Sequence, residues 1–264
     1  MRFSGFIAAA IIFLAGSATQ TMAGVIVDSH SFEQPDYSAG PLVGQNGFES
    51  LGGISAGGPQ VKSGVAYTGS QAVRVVGSDI EPYQDFYAGF WHVPIGRDPV
   101  AEGFDIIRAS VAIRMDVVST DSLTANLQLY GTDVADYFGG AYIWGDGSIT
   151  FDTAADSKIV GTAEFGRWYQ FGVEVNFSTG LATGYLDGVQ VSSLALGNLV
   201  STSFDAAEMS VASVAPLTVD DVFYFDDYKV EFLHAVPEPS SLALAMSGAT
   251  VLALVSRRRI KSRR

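Results

Sequence analysis

Residues 168–191 read WYQFGVEVNFSTGLATGYLDGVQV, and the pattern of this stretch indicates the fold class. Apolar and polar side chains alternate from Tyr169 to Phe177, which is the period of a half-buried antiparallel strand. The pair Asp187-Gly188 separates two shorter apolar runs and is a strong signal for a tight hairpin turn. The stretch therefore predicts neighbouring antiparallel strands that are joined by short turns.

The same alternation extends outward along the chain. Ile107–Val117 and Ser122–Leu129 repeat it, and Gly- and Asp-containing turns separate such segments. Only Ala206–Val211 would suit a single helical turn. Because no repeat or change of composition divides the region, we expect one all-β domain at residues 24–235. Its size and pattern are typical of an antiparallel two-sheet jelly-roll sandwich.

The charge of this region limits its partners. It contains 27 acids and 8 bases, which gives residues 24–235 a net charge of −19. Nucleic acid is excluded because its binding requires basic patches. Such acidity suits a soluble extracellular protein and offers oxygen ligands to calcium, although solubility alone explains it equally well. The chain has no cysteine, so a disulfide scaffold and thiol catalysis are both excluded.

The N-terminal residues have the pattern of an export signal. Arg2 provides a positive start, Phe6–Ala15 is a short apolar core, and Thr21-Met22-Ala23 offers small residues for cleavage before Gly24. Residues 1–23 are therefore predicted to be a secretory signal peptide.

The C-terminal residues 236–264 combine three signals in a fixed order. An extended Val236-Pro237-Glu238-Pro239 motif comes first, because the two prolines delay the start of any helix. The uncharged run that follows, at about 240–256, would be about 25 Å long as a helix, the lower limit for crossing a bilayer core of about 30 Å. A basic tail then begins with Arg257, Arg258 and Arg259 and favours a cytoplasmic C-terminus. We expect a single transmembrane helix with the sandwich on the periplasmic side.

This ordered triplet of signals resembles the PEP-CTERM sorting signal of Gram-negative bacteria. The resemblance implies that an exosortase, a membrane protease, cuts near Val236–Pro239 and passes the protein to the cell surface. A plain C-terminal membrane anchor is the alternative, and it differs only in that the tail is retained.

The core carries a second resemblance. Trp168–Gly188, together with Phe223–Val230, Ser31–Glu33 and Tyr67–Arg74, resembles the strands of concanavalin A-like (laminin G-type) sandwiches, although a galactose-binding-like jelly roll has similar ends. The resemblance implies two packed antiparallel sheets and, at most, ligand binding. It also implies a calcium ion shared by Glu33 and Asp226.

The alternation of side chains in the closing strand, Phe223–Val230, is relevant to the calcium prediction. Strict alternation places Asp226 on the same face as Tyr224, Tyr228 and Val230, which predicts a buried carboxylate. A buried ionised carboxylate requires a metal, a charged partner or hydrogen bonds. The alternative to calcium is therefore an aspartate that accepts hydrogen bonds from backbone amides.

No catalytic constellation is apparent in the sequence. Glycoside hydrolases of the sandwich class carry a Glu-x-Asp-x-x-Glu cluster or a close variant, which this chain lacks, and its three histidines are scattered. Trp91, Tyr137 and Trp144 lie in segments where aromatic and acidic residues mix, as in sugar-binding platforms, although core packing also requires large aromatics. We therefore expect an exported, non-enzymatic surface or matrix protein associated with extracellular polysaccharide. The alternatives are a lectin-like carbohydrate-binding module and a divergent glycoside hydrolase.

Overall fold

The computed structural model describes residues 24–51, 58–80, 82–83, 85–92, 95–116, 119–132, 136–199 and 201–235. The predicted signal peptide, the transmembrane helix at about 240–256, the Val236–Pro239 motif and the basic tail lie outside these residues. Among the residues described, no helix is long and apolar enough to span a membrane.

The described chain is built from strands, as the alternation predicts. In chain order the strands are β1 (Gly24–Asp28), β2 (Gly40–Pro41), β3 (Phe48–Leu51), β4 (Gln60–Ser63), β5 (Gln71–Val76), β6 (Pro82–Tyr83), β7 (Asp85–His92), β8 (Ile106–Met115), β9 (Thr124–Gly131), β10 (Tyr137–Trp144), β11 (Ser148–Asp152), β12 (Ser157–Thr162), β13 (Trp168–Asn176), β14 (Leu181–Leu186), β15 (Val189–Ala195), β16 (Phe204–Ser213) and β17 (Val222–Leu233). The stretch Ala206–Val211 lies inside β16, so a helical turn there is wrong: its backbone pairs with β9 on one side and β7 on the other.

Across the described residues the strands form two antiparallel sheets. The nine-stranded sheet has the order β15-β14-β13-β8-β17-β5-β4-β2, and β1 also pairs with β17. The eight-stranded sheet has the order β12-β11-β10-β9-β16-β7-β3, and β6 pairs with β7. The prediction of an all-β, two-sheet antiparallel sandwich is confirmed.

Side chains from the inner faces of both sheets form one core. The apolar positions predicted by alternation in β8, β9 and β13 are buried there, including Val111, Leu127 and Phe171. Phe90 of one sheet meets Phe225 of the other edge to face, with ring centroids 5.1 Å apart. The predicted hairpin is confirmed between β14 and β15, where Asp187 and Gly188 both have positive φ, at 50° and 78°.

The closing strand β17 contains one residue more than strict alternation allows. Asp226 pairs with Ala112 of β8 and Lys229 pairs with Ser110, so three steps along β17 match two along β8. Asp227 has φ 49° and forms a β-bulge. The bulge restores the inward parity, so that apolar residues on both sides of it lie in the core: Phe223, Phe225, Tyr228, Val230 and Phe232.

The predicted parity of Asp226 is therefore wrong, because the bulge separates it from Tyr228 and Val230. Asp226 lies with Tyr224 on the outer face of the nine-stranded sheet, and yet it is fully buried. The loop before β5 covers it, since the backbone N–H groups of Tyr67 and Thr68 donate to its Oδ2 at 2.7 and 3.1 Å. Its burial was expected, but it arises from the loop and not from the core.

Candidate functional site

Polar side chains collect on the outer face of the eight-stranded sheet, which we call the tyrosine–acid face. The strands β16, β9, β10 and β11 are adjacent and in register, so side chains of equal parity form rows across them. One row consists of Glu208, Gln128, Gly140 and Asp152, and the next of Ser210, Asn126, Tyr142 and Thr150. The opposite parity supplies the core, so the same alternation that makes the sandwich builds this face.

A chain of hydrogen bonds crosses the face. The Tyr137 hydroxyl donates to Asp152 Oδ1 and lies 2.6 Å from the Tyr142 hydroxyl. Because the single proton of Tyr137 is used on Asp152, Tyr142 must be the donor between the two tyrosines. Gln128 Nε2 in turn donates to the Tyr142 hydroxyl at 2.8 Å. The bonds therefore run in one direction, from Gln128 to Asp152, and each polarises the next.

Gly140 makes this chain possible. A Cβ at position 140 would collide with the Tyr137 hydroxyl and would lie only 3.0 Å from the Leu127 carbonyl oxygen. The missing side chain lets Tyr137 reach across β10 toward Asp152. The role of Gly140 is apparent only once the register of β9, β10 and β11 is known.

Burial raises the pKa of the ionisable groups on this face. It raises the pKa of Asp152 despite the hydrogen bond from Tyr137. It also raises the pKa values of Tyr137 and Tyr142. The phenols therefore stay protonated at neutral pH and can act as hydrogen-bond donors.

Glu208 is the least expected residue of the face, because its neighbours in β16, Ala206, Ala207 and Met209, are apolar. It is 4% exposed, and its Oε1 has no hydrogen-bond partner among the described residues. Burial raises its pKa to about 8. A carboxylic acid that is protonated at neutral pH can donate a hydrogen bond, which an ionised one cannot.

Of the three predicted sugar-contacting residues, two lie together. Trp144 is 36% exposed and stacks on Tyr142, with centroids 6.1 Å apart and planes at 26°, while Tyr137 joins the hydrogen-bond chain. The indole Nε1 donates to Thr150 Oγ1 at 3.1 Å, which fixes the orientation of the ring. Trp91 lies in β7, where its backbone pairs with Glu208 of β16. The side chain of Trp91 is outside the described part of the structure. The arrangement offers an aromatic surface beside polar donors, which is what a sugar ring requires.

The two acids of the row lie on strands that are not adjacent. Glu208 and Asp152 lie three strands apart, which places their Cα atoms about 14 Å from each other. Paired carboxylates of glycoside hydrolases lie at about 5–9.5 Å. The row therefore holds its two acids at opposite ends, with Gln128 and Gly140 between them.

The structure brings the two predicted calcium ligands to the same loop. Glu33 accepts hydrogen bonds from the N–H groups of Ser70 and Gln71 and from the Ser70 hydroxyl, and the amide of Ser70 is the largest cause of its lowered pKa. Asp226 accepts the N–H groups of Tyr67, Thr68 and Asp227. The described residues contain no group of three His, Asp or Glu side chains placed to hold a metal. The amide-bound alternative for Asp226 fits this geometry, and the calcium site stays a prediction.

The end of the sandwich is held in place close to the sorting motif. His234 stacks on Phe104 with ring centroids 4.6 Å apart, and the N–H of Ala235 donates to Asp105 Oδ2 at 3.2 Å. The residues that follow, from Val236 onward, are outside the described part of the chain. The motif therefore begins with no spacer after the folded domain.

Comparison with known proteins identifies this segment. Residues 235–259 match the model of the PEP-CTERM protein-sorting motif, so the chain carries this motif at the position predicted from its sequence. The motif indicates an exported protein that an exosortase handles and that is anchored at a membrane. No curated protein matches the sequence.

Several solved structures are similar to this chain at low sequence identity. An endo-β-1,4-glucuronan lyase from the fungus Trichoderma reesei is 12% identical, with 74% of this chain and 93% of the lyase covered and a TM-score of 0.47. A carbohydrate esterase of a Shiga toxin-encoding bacteriophage is 14% identical, with 72% and 91% covered and a TM-score of 0.49. A sialidase is 10% identical over 70% of this chain, which spans only 17% of the sialidase, with a TM-score of 0.46. At these levels of likeness the substrates of those proteins do not carry over to this chain.

The raised pKa of Glu208 gives a pH-dependent stability. Between its ordinary value of 4.5 and about 8, the folded protein holds a proton that the unfolded chain has lost. Stability should therefore fall as pH rises through this window. The side chain in Glu208→Gln is neutral at every pH. In this variant the free energy of unfolding should therefore fall less between pH 4.5 and 8 than in the wild type, by a few kcal/mol in total, because each pH unit in this window contributes about 1.4 kcal/mol. Urea unfolding between pH 4.5 and 8 measures this.

The exposed Glu164 provides the matched control for this measurement. Glu164→Gln makes the same chemical change without altering a buried group, and it should keep the slope of the wild type. If Glu208→Gln also keeps that slope, Glu208 is ionised in the folded state and the description of the face as a protonated donor surface is wrong.

Proposed function

We propose that the chain is an exported, non-enzymatic surface or matrix protein that is delivered by its C-terminal signal and that binds extracellular polysaccharide. The observation that carries the proposal is the PEP-CTERM motif at residues 235–259, which follows the anchored end of β17 directly. In this proposal residues 1–23 are a signal peptide, residues about 240–256 hold the chain in the membrane, and the sandwich lies on the periplasmic side until it is released.

The tyrosine–acid face supports the polysaccharide part of the proposal. Trp144 presents a partly exposed ring, and the neighbouring hydroxyl groups can exchange their internal hydrogen bonds for those of a sugar. Sugar rings have apolar faces and polar rims, so a ring beside donors and acceptors matches them. The sequence also lacks the Glu-x-Asp-x-x-Glu cluster of sandwich-class glycoside hydrolases, which supports binding without hydrolysis.

The first experiment tests sorting. In the native host we expect the protein at the cell surface to end within Val236–Pro239, because the prolines present an extended backbone to an exosortase-type protease. Replacing Pro237 and Pro239 by alanine should leave the full-length chain in the membrane. The control is Pro216→Ala, which removes an exposed proline of the sandwich. Intact mass of the mature wild-type protein decides the matter, and mature protein that still ends in Arg264 would indicate a plain anchor.

The second experiment tests binding at the tyrosine–acid face. Trp144→Ala removes the stacking ring and should weaken binding to a neutral polysaccharide by up to about tenfold, since an aromatic contact contributes about 0.5–1.5 kcal/mol beyond its buried area. Phe165→Ala, which removes another exposed ring at 44% exposure, should have no effect. Affinity electrophoresis in gels containing dextran or β-glucan measures both variants. Release of reducing ends from the same polymers would contradict the non-enzymatic proposal.

A further inference from the structure

The bases of the sandwich are concentrated on one face. Five of the eight Lys and Arg residues between Gly24 and Ala235 lie in strands of the nine-stranded sheet, with parity opposite to the core: Lys62, Arg74, Arg108, Arg114 and Lys229. Among the described strands of the eight-stranded sheet, Lys158 in the edge strand β12 is the only such residue. Three of these bases form ion pairs with neighbouring acids: Arg108 with Glu174, Arg114 with Asp116 and Lys229 with Glu231. The outer face of the nine-stranded sheet, which we call the arginine face, is therefore less acidic than the rest of the protein.

Aromatic rings and guanidinium groups alternate in one row of the arginine face. The register of β13, β8, β17 and β5 places Trp168, Arg114, Tyr224 and Arg74 side by side. The Arg114 guanidinium carbon lies 5.7 Å from the centroid of Tyr224, and the rings of Trp168 and Tyr224 are 6.2 Å apart. Tyr67 extends the aromatic surface, with its ring centroid 5.9 Å from that of Trp168.

A hollow lies beside this row. Its volume is about 310 Å³, near the lower end of the range for small-molecule sites. Arg108, Ser110, Gln170 and Tyr185 line it, and Gly172 lies among them without a side chain to fill it. All four of these side chains bring N–H or O–H donors into one concave space, and Tyr185 adds an aromatic ring. The hollow therefore suits a ligand that presents hydrogen-bond acceptors.

The hydrogen bonds of Arg108 leave donors for such a ligand. Its Nε donates to Glu174 Oε2 at 3.0 Å, and its Nη2 donates to the same oxygen. A guanidinium has five N–H groups, so three remain after this pair is made. Glu174 fixes the guanidinium in place over the sheet, and a planar fork of this kind matches a carboxylate.

We propose that the arginine face binds the carboxylate-bearing sugar units of an acidic polysaccharide, with Arg108 contacting the carboxylate in the hollow and with Tyr185 and the Trp168–Tyr67 rings contacting sugar faces. The inference names a partner class for the polysaccharide association proposed above and rests on export to a polysaccharide-containing surface. It assigns the acidic polysaccharide to the nine-stranded sheet, whereas the tyrosine–acid face belongs to the eight-stranded sheet.

The test uses the purified full chain in detergent and two probes, polygalacturonate as the anionic polymer and dextran as the neutral one. Isothermal titration calorimetry should show binding of polygalacturonate that weakens as salt is raised. The double variant Arg108→Gln/Glu174→Gln removes the guanidinium together with its partner and leaves no buried charge behind. It should bind polygalacturonate about tenfold more weakly, the effect of losing a charge-assisted hydrogen bond.

The matched control is Arg97→Gln/Glu102→Gln, which removes another Arg–Glu ion pair, one that is outside the arginine face. It should bind as the wild type does. Tyr185→Ala alters the hollow without touching the ion pair and should also weaken binding, so the test does not depend on the folding of one variant. Equal losses of polygalacturonate binding in both double variants, an equal loss of dextran and polygalacturonate binding in Arg108→Gln/Glu174→Gln, or no binding of polygalacturonate by the wild type would overturn the inference.

Failure of this inference is distinguishable from failure of the proposed function. If Trp144→Ala abolishes polygalacturonate binding while Arg108→Gln/Glu174→Gln leaves it unchanged, polysaccharide is bound at the tyrosine–acid face and the arginine face has no part in it. Processing of the tail is measured by mass and is independent of both results.

Discussion

One extra residue in the closing strand β17 is the constraint on which the sandwich depends. β17 lies in the middle of the nine-stranded sheet, where it pairs with β8, β5 and β1. The bulge at Asp226 and Asp227 keeps the apolar residues on both sides of it in the core. Without it, strict alternation would turn Tyr228, Val230 and Phe232 outward, and each large side chain contributes about 1.5–3 kcal/mol when buried. The Tyr228 hydroxyl, which donates to the Ala207 carbonyl of the other sheet at 2.7 Å, would also lose its partner.

Asp226 stabilises this bulge and ties a distant loop to it. Its Oδ1 accepts the N–H of Asp227 at 2.8 Å, and its Oδ2 accepts two N–H groups from the loop before β5. Burial raises its pKa to about 7, against the three hydrogen bonds that lower it. The opening segment joins the same cluster, since Glu33 caps the loop end at Ser70 and Gln71. Carboxylates that accept backbone amides thus connect two early segments of the chain, at Glu33 and at residues 67–71, to the closing strand.

The sequence predicts the strands and the class of fold, because burial of one sheet face imposes the alternation seen from Tyr169 to Phe177. It does not reveal the bulge, since Asp226-Asp227 reads as ordinary polar residues until the register with β8 is known. Tyr137 and Trp144 could be identified as candidates from their aromatic and acidic surroundings. Glu208, Asp152 and Gly140 could not, because a row across strands brings together residues that are far apart in the chain. The arginine face was missed for the same reason, as its bases are spread from Lys62 to Lys229 in an acidic sequence.

The two outer faces and the sorted tail give the sandwich its proposed role, and the arginine face depends on the register of β17 and β8 that Asp226 stabilises. The most direct test is the stability of the full chain with Asp226→Ala, compared with Asp220→Ala at an exposed neighbour and with the wild type in a chelator. Loss of the acceptor for three partly buried amides should lower the free energy of unfolding by about 3 kcal/mol, since each unmet buried donor costs about 1–3 kcal/mol. Asp220→Ala and chelation should leave it unchanged. A wild type that loses its stability in the chelator, or an Asp226→Ala variant as stable as Asp220→Ala, would contradict the account: the first result would assign the role of Asp226 to calcium, and the second would leave it without one.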